Sequence, residues 1–270
     1  MSTAFALLGH PVSHSLSPRM FNTMFARKGI DAHYRAIDIP ADDPLQLRDV
    51  FAAHGLAGVN LTVPHKTDVI PQLDRVSEAA ERAGAVNVVV QQGDLLLGHN
   101  TDGRGFLDAL GEKPAHTVVL LGAGGAARAI AAAAMAEGTR EVIILNRSVE
   151  RAADMLAHLR AGESSTTIMH APLTAEAFAE HAAQAGLVVN CTAGGARHTI
   201  DAFEPAALRP DACWVDINYW DPQPPAQDAC RAAGVRFQTG HGMLAHQAAH
   251  GFFLFTGQRC DGDELLGLIA

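Results

Sequence analysis

Glycine residues after an apolar run offer the clearest chemistry in this sequence. Val118–Leu121 leads into Gly122, Gly124 and Ala127, which have G-x-G-x-x-A spacing. Such a loop lets backbone N–H groups and the N-terminus of the next helix approach a pyrophosphate. An alanine-rich helical pattern and a second apolar run follow, as the motif requires, which favours this interpretation over a glycine turn without a ligand. The predicted dinucleotide-binding loop consists of Gly122, Ala123, Gly124, Gly125 and Ala126.

Basic residues at the end of the second apolar run indicate which dinucleotide is bound. In NAD-binding folds an Asp or Glu about 20 residues after the loop bonds the ribose 2′-hydroxyl. Here Asn146 and Arg147 occupy that place, and Arg151 lies a helical turn further on. A carboxylate would repel a 2′-phosphate, whereas guanidinium groups bind it with charge-assisted hydrogen bonds. The sequence therefore predicts NADP(H) rather than NAD(H).

Proton transfer must accompany the hydride transfer that such a cofactor performs. A positioned acid or base is needed near the alcohol oxygen, because the cofactor supplies only the hydride. Lys66 follows a strand that ends at Pro64, and ligands collect at the carboxyl ends of strands in α/β folds. Ser15 and Ser17, at a loop-to-helix junction, can present two hydroxyls to a carboxylate, and Asp102 lies in an N-T-D-G segment.

Each of these segments has a simpler explanation when taken alone. A lone lysine is usually a solvated surface charge, N-T-D-G is usually a turn, and serines near a proline are usually helix caps. Ser17 is a plausible N-cap for a helix whose first turn contains Pro18. The functional interpretation of these segments therefore depends on their occurring together.

Composition excludes several classes of protein. The 270 residues are 48% hydrophobic and 18% charged, as in an ordinary α/β protein. A net charge of −9 argues against a nucleic-acid partner, which needs a clustered basic face. The chain lacks an apolar stretch long enough to span a membrane. Its first residues also lack the basic region and the cleavage site of a secretory signal. We expect a cytoplasmic monomer or homodimer with a small-molecule substrate and no membrane partner.

Cysteine and histidine residues do not form a metal-binding pattern. The four cysteines are widely spaced without a C-x-x-C pair, so we expect buried thiols and no disulfide. His241, His246 and His250 recur near helical spacing, but we expect no acidic partner close by. We expect histidines on a helix surface rather than a zinc site, and no metal.

Alternating apolar runs and helical patterns predict two α/β domains. Strands are expected at 5–9, 32–39, 58–63 and 86–90, with helices at 18–28 and 45–54. After the dinucleotide loop, the order of elements predicts a doubly wound Rossmann domain. We expect a substrate domain at 1–102, a Rossmann domain at 103–242 and a last helix within 243–270 that packs back on the first domain. Gly103 and Gly105 are expected to form a turn at the junction.

Motifs of one known family occur in order along the chain. They are G-H-P-V-S-H-S-L-S-P at 9–18, N-L-T-V-P-H-K at 60–66, G-A-V-N at 84–87, N-T-D-G at 100–103, G-A-G-G-A at 122–126, N-R-S at 146–148 and G-M-L-A-H-Q-A at 242–248. With these motifs the chain resembles the shikimate dehydrogenases almost from end to end.

This resemblance implies an activity and a role for each motif. Members reduce 3-dehydroshikimate to shikimate with NADPH, a step of aromatic amino acid biosynthesis, in a cleft between two domains. By position, Lys66 and Asp102 would be the acid–base pair, and Ser15 and Ser17 would bind the substrate carboxylate. Ring hydroxyls would contact Thr62, Asn87 and Gln247, with Asn60 and Tyr219 lining the pocket. The remaining cofactor contacts implied are Ser148, Thr192, Gly240 and Met243.

Several positions depart from the family pattern. The N-A-T-S-x-G motif is replaced by N-C-T-A-G-G-A-R at 190–197, which introduces Arg197 near the cofactor. Thr239 and His241 replace an Asp and an apolar residue beside the expected nicotinamide site, and His10 replaces an Asn. A protonated His241 would add pH dependence near neutrality.

Three other functions are compatible with this sequence. A divergent paralogue would act on quinate or another shikimate analogue, although quinate-preferring relatives often have threonine at the position of Ser17. A sensor would bind NADP(H) with little turnover, but it would have no need for both Lys66 and Asp102. A folate-type dehydrogenase would have no obvious use for the Ser15 and Ser17 pair.

Overall fold

Two six-stranded sheets organise the chain. The computed structural model describes residues 2–40, 42–43, 45–162, 164–192, 203–221 and 224–269. The first sheet contains β1 (Thr3–Gly9), β2 (Ala32–Asp38), β3 (Leu56–Leu61), β4 (Arg75–Val76), β5 (Val88–Gln92) and β6 (Leu95–His99). The second contains β7 (Thr117–Leu121), β8 (Glu141–Asn146), β9 (Thr167–Pro172), β10 (Leu187–Asn190), β11 (Cys213–Asp216) and β12 (Arg236–Thr239).

Ten α-helices lie in the described part of the chain. They are α1 (Ser17–Lys28), α2 (Leu47–His54), α3 (Glu78–Ala83), α4 (Asp102–Leu110), α5 (Gly125–Ala136), α6 (Val149–Arg160), α7 (Ala175–Ala182), α8 (Pro225–Ala233), α9 (His241–Thr256) and α10 (Gly262–Leu266). None of these helices has the length and hydropathy needed to cross a bilayer.

The second sheet is entirely parallel. Its strand order is β12-β11-β10-β7-β8-β9, so the chain turns back between β7 and β10. In doubly wound sheets, ligands bind outside the carboxyl ends of the strands at this reversal. Apolar clusters lie on both faces, since Val118 and Leu120 belong to one cluster and Val119 and Leu121 to the other. The predicted Rossmann topology is confirmed.

The first sheet is mixed. Its order is β2-β1-β3-β5-β6-β4, with β5 antiparallel to both β3 and β6. The parallel strands β1 and β3 are adjacent, and the chain reverses between them. The polar segments that follow β1 and β3 therefore lie side by side at the carboxyl ends of these strands. The second sheet has the same kind of reversal, between β7 and β10.

The last long helix joins both halves of the molecule. On α9, Ala245, Ala248 and Phe252 are buried in a cluster with Phe5 and Phe21 from the first sheet's side. Met243, one turn earlier, belongs instead to a cluster on the second sheet. The expected packing of this helix against the first domain is confirmed.

Two local predictions at helix ends are wrong. Gly103 and Gly105 do not form a turn, because both lie inside α4. A Cβ on Gly105 would lie 2.4 Å from the Gln247 backbone nitrogen, and one on Gly103 would lie 2.5 Å from the Ala129 oxygen. These glycines therefore let α9 and α5 pack closely against α4. The N-cap of α1 is Leu16 rather than Ser17, which is the first helical residue.

Candidate active site

A lysine and an aspartate from separate segments form the centre of the site. Lys66 follows β3, and Asp102 is the first residue of α4. Lys66 Nζ lies 2.6 Å from Asp102 Oδ2, and the two side chains are 15% and 5% exposed. A carboxylate so little exposed needs charge and hydrogen-bond partners, which the ammonium provides. The pair can hold and transfer a proton at Nζ.

Asn87 holds the second oxygen of the aspartate. Its Nδ2 lies 2.7 Å from Asp102 Oδ1, and its Oδ1 accepts a hydrogen bond of 2.8 Å from the Thr101 backbone. The same Nδ2 lies 3.3 Å from Gln247 Oε1. Both carboxylate oxygens of Asp102 are therefore oriented by side chains from other segments.

The lysine also lies against the glycine loop of the second sheet. A Cβ added to Gly125 would be 2.8 Å from Lys66 Cβ and 3.1 Å from its Cδ. Gly125 belongs to the predicted phosphate loop and is the first residue of α5. The proton-transfer pair from the first sheet and the dinucleotide loop from the second thus share one cleft.

Ser15 and Ser17 lie at the start of α1, beside the same cleft. Ser15 Oγ accepts a hydrogen bond of 3.3 Å from the Ser17 backbone nitrogen, and Ser17 is buried. Ser15 is also hydrogen-bonded to the phenol of Tyr219, which follows β11. Burial raises the pKa of Tyr219 while the bond with Ser15 opposes that shift, so the phenol is neutral and can donate.

A buried tyrosine orients the amide of Asn60. The Tyr34 hydroxyl donates to Asn60 Oδ1 at 2.9 Å, and Asn60 Nδ2 lies 3.3 Å from the Asn87 carbonyl. Burial, and then the proximity of Tyr219, raise the pKa of Tyr34 well above its usual value. Because the phenol keeps its proton, it can donate to Asn60 Oδ1, and this orients the Asn60 amide nitrogen toward the Asn87 carbonyl. Sequence reasoning missed Tyr34, and its place in β2 gave no signal of this contact.

Thr62 and Gln247 come from opposite sides of the site. Thr62 follows β3 and its backbone nitrogen donates to Leu8 of β1, which sets the threonine beside the first strand. Gln247 is buried on α9, where its Nε2 donates to the Leu244 carbonyl at 2.8 Å. The structure therefore joins Asn60, Asn87 and Gln247 to Asp102 through hydrogen bonds, and Thr62 lies at the end of β3 next to β1.

The predicted phosphate loop has the shape that a pyrophosphate requires. Gly122 has φ +111°, which side chains rarely allow, and a Cβ on Gly124 would point into open space. Gly124 caps α5 without a side-chain hydrogen bond, and the first turn of α5 contains no acidic residue. Ala123 and Ala126 complete this loop. Gly122 N–H donates to the Leu145 carbonyl at 2.7 Å, and the N–H groups at the start of α5 can donate to an anion.

Two exposed arginines follow the next strand. Arg147 and Arg151 are exposed, and neither has an ion-pair partner within the described ranges. Ser148 caps α6 by accepting from the Arg151 backbone, and Asn146 Nδ2 donates to the Ser148 carbonyl at 2.7 Å. No carboxylate occupies the end of β8, so the site fits a phosphorylated ribose.

Residues after β10 lie against Gly122 of the loop, and Gly240 after β12 lies against the segment that follows β11. Thr192 Oγ1 donates to Asn190 Oδ1 at 2.7 Å, and Asn190 Nδ2 donates to Asp216 Oδ2 at 2.9 Å. Burial raises the pKa of Asp216, against hydrogen bonds that lower it. Gly240 precedes α9, and a Cβ there would lie 2.1 Å from the Ile217 carbonyl oxygen. Arg197 lies outside the described residues.

The surroundings of Cys191, which precedes Thr192, make its thiol unreactive. Burial, followed by the nearby carboxylates Asp216 and Asp102, raises the pKa of Cys191, while Lys66 opposes the shift. The thiol therefore stays protonated and is a poor nucleophile. All four cysteines are free.

Histidines of α9 each have a separate neighbour. His246 lies 3.5 Å from Asp263, and His250 lies 2.7 Å from Asp108 of α4. The premise that no acidic residue lies near these histidines is therefore wrong in space. The described residues contain no group of three or more side chains able to hold a metal ion.

Comparisons with known proteins agree with this geometry. Residues 7–89 match the shikimate dehydrogenase substrate-binding domain, and residues 108–217 match the shikimate/quinate 5-dehydrogenase family. Residues 240–263 match the shikimate 5′-dehydrogenase C-terminal domain. A shikimate dehydrogenase (NADP⁺) of Symbiobacterium thermophilum is 40% identical, over 94% of this chain and 88% of that protein. The chain belongs to the shikimate dehydrogenase family.

Other members of the shikimate dehydrogenase family extend the match. The enzyme of Geobacillus kaustophilus is 36% identical over 100% of this chain and 98% of its own. The structure of the Thermus thermophilus enzyme with NADP(H) and shikimate has a TM-score of 0.83 and 35% identity, covering 99% and 98% of the two chains. A quinate dehydrogenase of Corynebacterium glutamicum with NAD has a TM-score of 0.83 at 29% identity, covering 99% and 98%.

Proposed function

We propose that this chain reduces 3-dehydroshikimate to shikimate, reversibly and with NADPH, using Lys66 and Asp102 as its acid–base pair. The observation that carries this proposal is the 2.6 Å contact between Lys66 Nζ and Asp102 Oδ2, made beside Gly125. An acid–base pair next to a dinucleotide loop is what the reduction of a ketone requires.

Lys66 and Asp102 divide the work of proton transfer. During reduction, Lys66 Nζ gives a proton to the carbonyl oxygen of the substrate, and in the reverse direction it takes that proton back. Asp102 holds the ammonium in place, and Asn87 fixes the carboxylate from its other side. The positive charge of Lys66 also stabilises negative charge that develops on the oxygen.

Residues around this pair bind and orient the substrate. Ser15 and Ser17 hold its carboxylate at the start of α1, where helix N–H groups favour an anion. The Tyr219 phenol, whose pKa is raised by burial, adds a donor beside Ser15. The ring hydroxyls are held by Asn60, Thr62, Asn87 and Gln247.

The residues of the second sheet fit NADP(H). Gly122, Ala123, Gly124, Gly125 and Ala126 hold the pyrophosphate, and Asn146, Arg147, Ser148 and Arg151 hold the 2′-phosphate. Thr192, Gly240 and Met243 border the nicotinamide end. The bound cofactor supplies the hydride.

We also infer where the two functional units divide. The substrate unit spans 1–102 and is completed by 243–270, and the NADP unit spans 103–242. Two separate sheets support this division, as does the start of α4 at Asp102.

A spectrophotometric assay tests the proposed function. Shikimate and quinate are each combined with NADP⁺ and with NAD⁺, and formation of the reduced nicotinamide is followed by its absorbance. We expect turnover with shikimate and NADP⁺ to exceed the other three combinations. Activity only with quinate and NAD⁺ would overturn both the substrate and the cofactor assignments, and binding without turnover would favour a sensor.

A further inference from the structure

An exposed tryptophan contacts a histidine across the cleft. The rings of His14 and Trp220 have centroids 5.5 Å apart and are tilted by 68°. His14 lies between β1 and α1 of the first sheet, whereas Trp220 follows β11 of the second. Single exposed apolar side chains need no explanation, but this one, 44% exposed, joins two separate parts of the chain.

The residues next to this pair in the sequence make a second contact. Ser15 is hydrogen-bonded to Tyr219, so adjacent residues on each side meet pairwise across the cleft. The Tyr219 ring meets Trp220 edge-on at 5.5 Å and His241 at 6.0 Å. We call the four rings of His14, Trp220, Tyr219 and His241 the aromatic clasp.

We propose that Trp220 is a positioning residue that holds Tyr219 against Ser15 and closes the carboxylate end of the cleft. This inference rests on the proposed function. Edge-to-face aromatic pairs have well-defined geometry, and their loss weakens an interaction by roughly 2- to 10-fold. Trp220 acts through Tyr219 and does not touch the atoms that react.

Steady-state kinetics separate this role from a general structural one. In Trp220→Ala, the KM for shikimate should rise by about 10-fold, while kcat and the KM for NADP⁺ stay within about 2-fold of wild type. Trp220→Phe keeps a ring against His14 and Tyr219 and should restore most of the shikimate affinity. Phe253→Ala is the matched control, because Phe253 is 42% exposed on α9 and lies outside the clasp.

A double-mutant cycle tests the contact across the cleft. If His14 and Trp220 act through each other, His14→Ala should add little to the KM change of Trp220→Ala. Additive changes would show that the two rings act independently, and this would overturn the clasp.

Tryptophan fluorescence can detect closure of the carboxylate end of the cleft without turnover. The chain has two tryptophans, and Trp214 is fully buried. Acrylamide should therefore quench Trp220 selectively, and added shikimate should protect it from quenching, a protection that Trp220→Phe abolishes. Wild-type protein that does not oxidise shikimate would overturn the proposed function and the clasp together. An active wild type with an unchanged shikimate KM in Trp220→Ala would overturn the clasp alone.

Discussion

Lys66 lies where a proton donor must be for carbonyl reduction, between Asp102 and the first residue of α5. Lys66→Ala should lower kcat by roughly 100-fold or more, since acid–base catalysis contributes on that scale. The affinity for NADPH, measured by fluorescence titration, should change little because the phosphate loop is untouched. Lys113→Ala removes an exposed lysine elsewhere and should leave kcat unchanged. Near-wild-type turnover in the Lys66 variant would remove this side chain from the mechanism.

Arg147 and Arg151 should determine the preference for the phosphorylated cofactor. Replacing either with Ala removes charge-assisted hydrogen bonds to the 2′-phosphate and should weaken NADPH binding by roughly 10-fold or more. The affinity for NADH should stay the same, because NADH lacks that phosphate. Arg231→Ala is the control, since Arg231 is an exposed arginine paired with Asp228 on α8. Equal losses for NADPH and NADH would contradict the assignment.

Sequence reasoning found residues of the site better than it found their supports. The motifs predicted Lys66 and Asp102 as partners 36 positions apart, and the structure places them in contact. Sequence reasoning did not predict that the Asn87 amide is hydrogen-bonded to Asp102 and Thr101, or that Tyr34 orients Asn60. Such contacts join strands that are distant in sequence, and no local spacing encodes them.

Close helix packing is the main requirement at the level of elements. Gly105→Ala would place a Cβ 2.4 Å from the Gln247 nitrogen and 2.6 Å from its Cα, and this backbone cannot move aside within α9. We expect a loss of about 1–3 kcal/mol in the free energy of unfolding, and a fall of several degrees in Tm. Thermal unfolding followed by circular dichroism measures this change.

Gly267→Ala is the matched control for that substitution. Gly267 has φ −61°, which any residue adopts, and an added Cβ would meet its nearest atoms at an ordinary 3.6 Å. Alanine there should leave Tm unchanged or raise it slightly, because it restricts the unfolded chain. A Gly105 variant as stable as the Gly267 variant would show that α4 and α9 can separate at no cost.

Elements with strong apolar patterns were predicted well, and short or edge elements were not. The strand predicted at 5–9 lies within β1, and the helix predicted at 18–28 matches α1 to within one residue. The elements β4, β6, β9, α3, α7 and α10 were not predicted. β6 had a usable signal, since Gly93 and Asp94 connect it to β5 as a two-residue hairpin loop. The prediction of a turn at Gly103 and Gly105 failed because glycine in a helix marks close packing as well as a break.

At the scale of the whole molecule, the site exists only because two sheets and one shared helix converge. Lys66 and Asp102 come from the first sheet and α4, and Gly125 from the second sheet's side. Gln247 and Met243 lie on the same helix, α9. Gln247 contacts Asn87 of the first domain, whereas Met243 packs in an apolar cluster of the second sheet. The order of the motifs predicted two α/β domains with a shared last helix. The distances across the cleft depend on side-chain packing between distant segments, which the sequence alone does not specify.

Stability of the whole molecule should depend on acid through carboxylates such as Asp74. A hydrogen bond from the Leu96 backbone lowers the pKa of Asp74 below its usual 3.8. Desolvation opposes this shift, and the contact with Arg48 supports it. Because the folded state has the lower pKa, it binds fewer protons than the unfolded state. The stabilisation is therefore complete above about pH 5 and is lost as pH falls below the unfolded pKa.

Asp74→Asn should be less stable than wild type at neutral pH, and the difference should shrink as the pH is lowered to about 3. Urea unfolding midpoints measured across that range test this expectation. Asp31→Asn is the control, because Asp31 is exposed and none of the side-chain hydrogen bonds or ion pairs resolved between described residues involves its carboxylate. Its midpoint should follow that of wild type at every pH. If the stability difference between Asp74→Asn and wild type stays constant or grows as the pH falls, the ionised carboxylate does not stabilise the fold through its hydrogen bonds with Arg48 and Leu96.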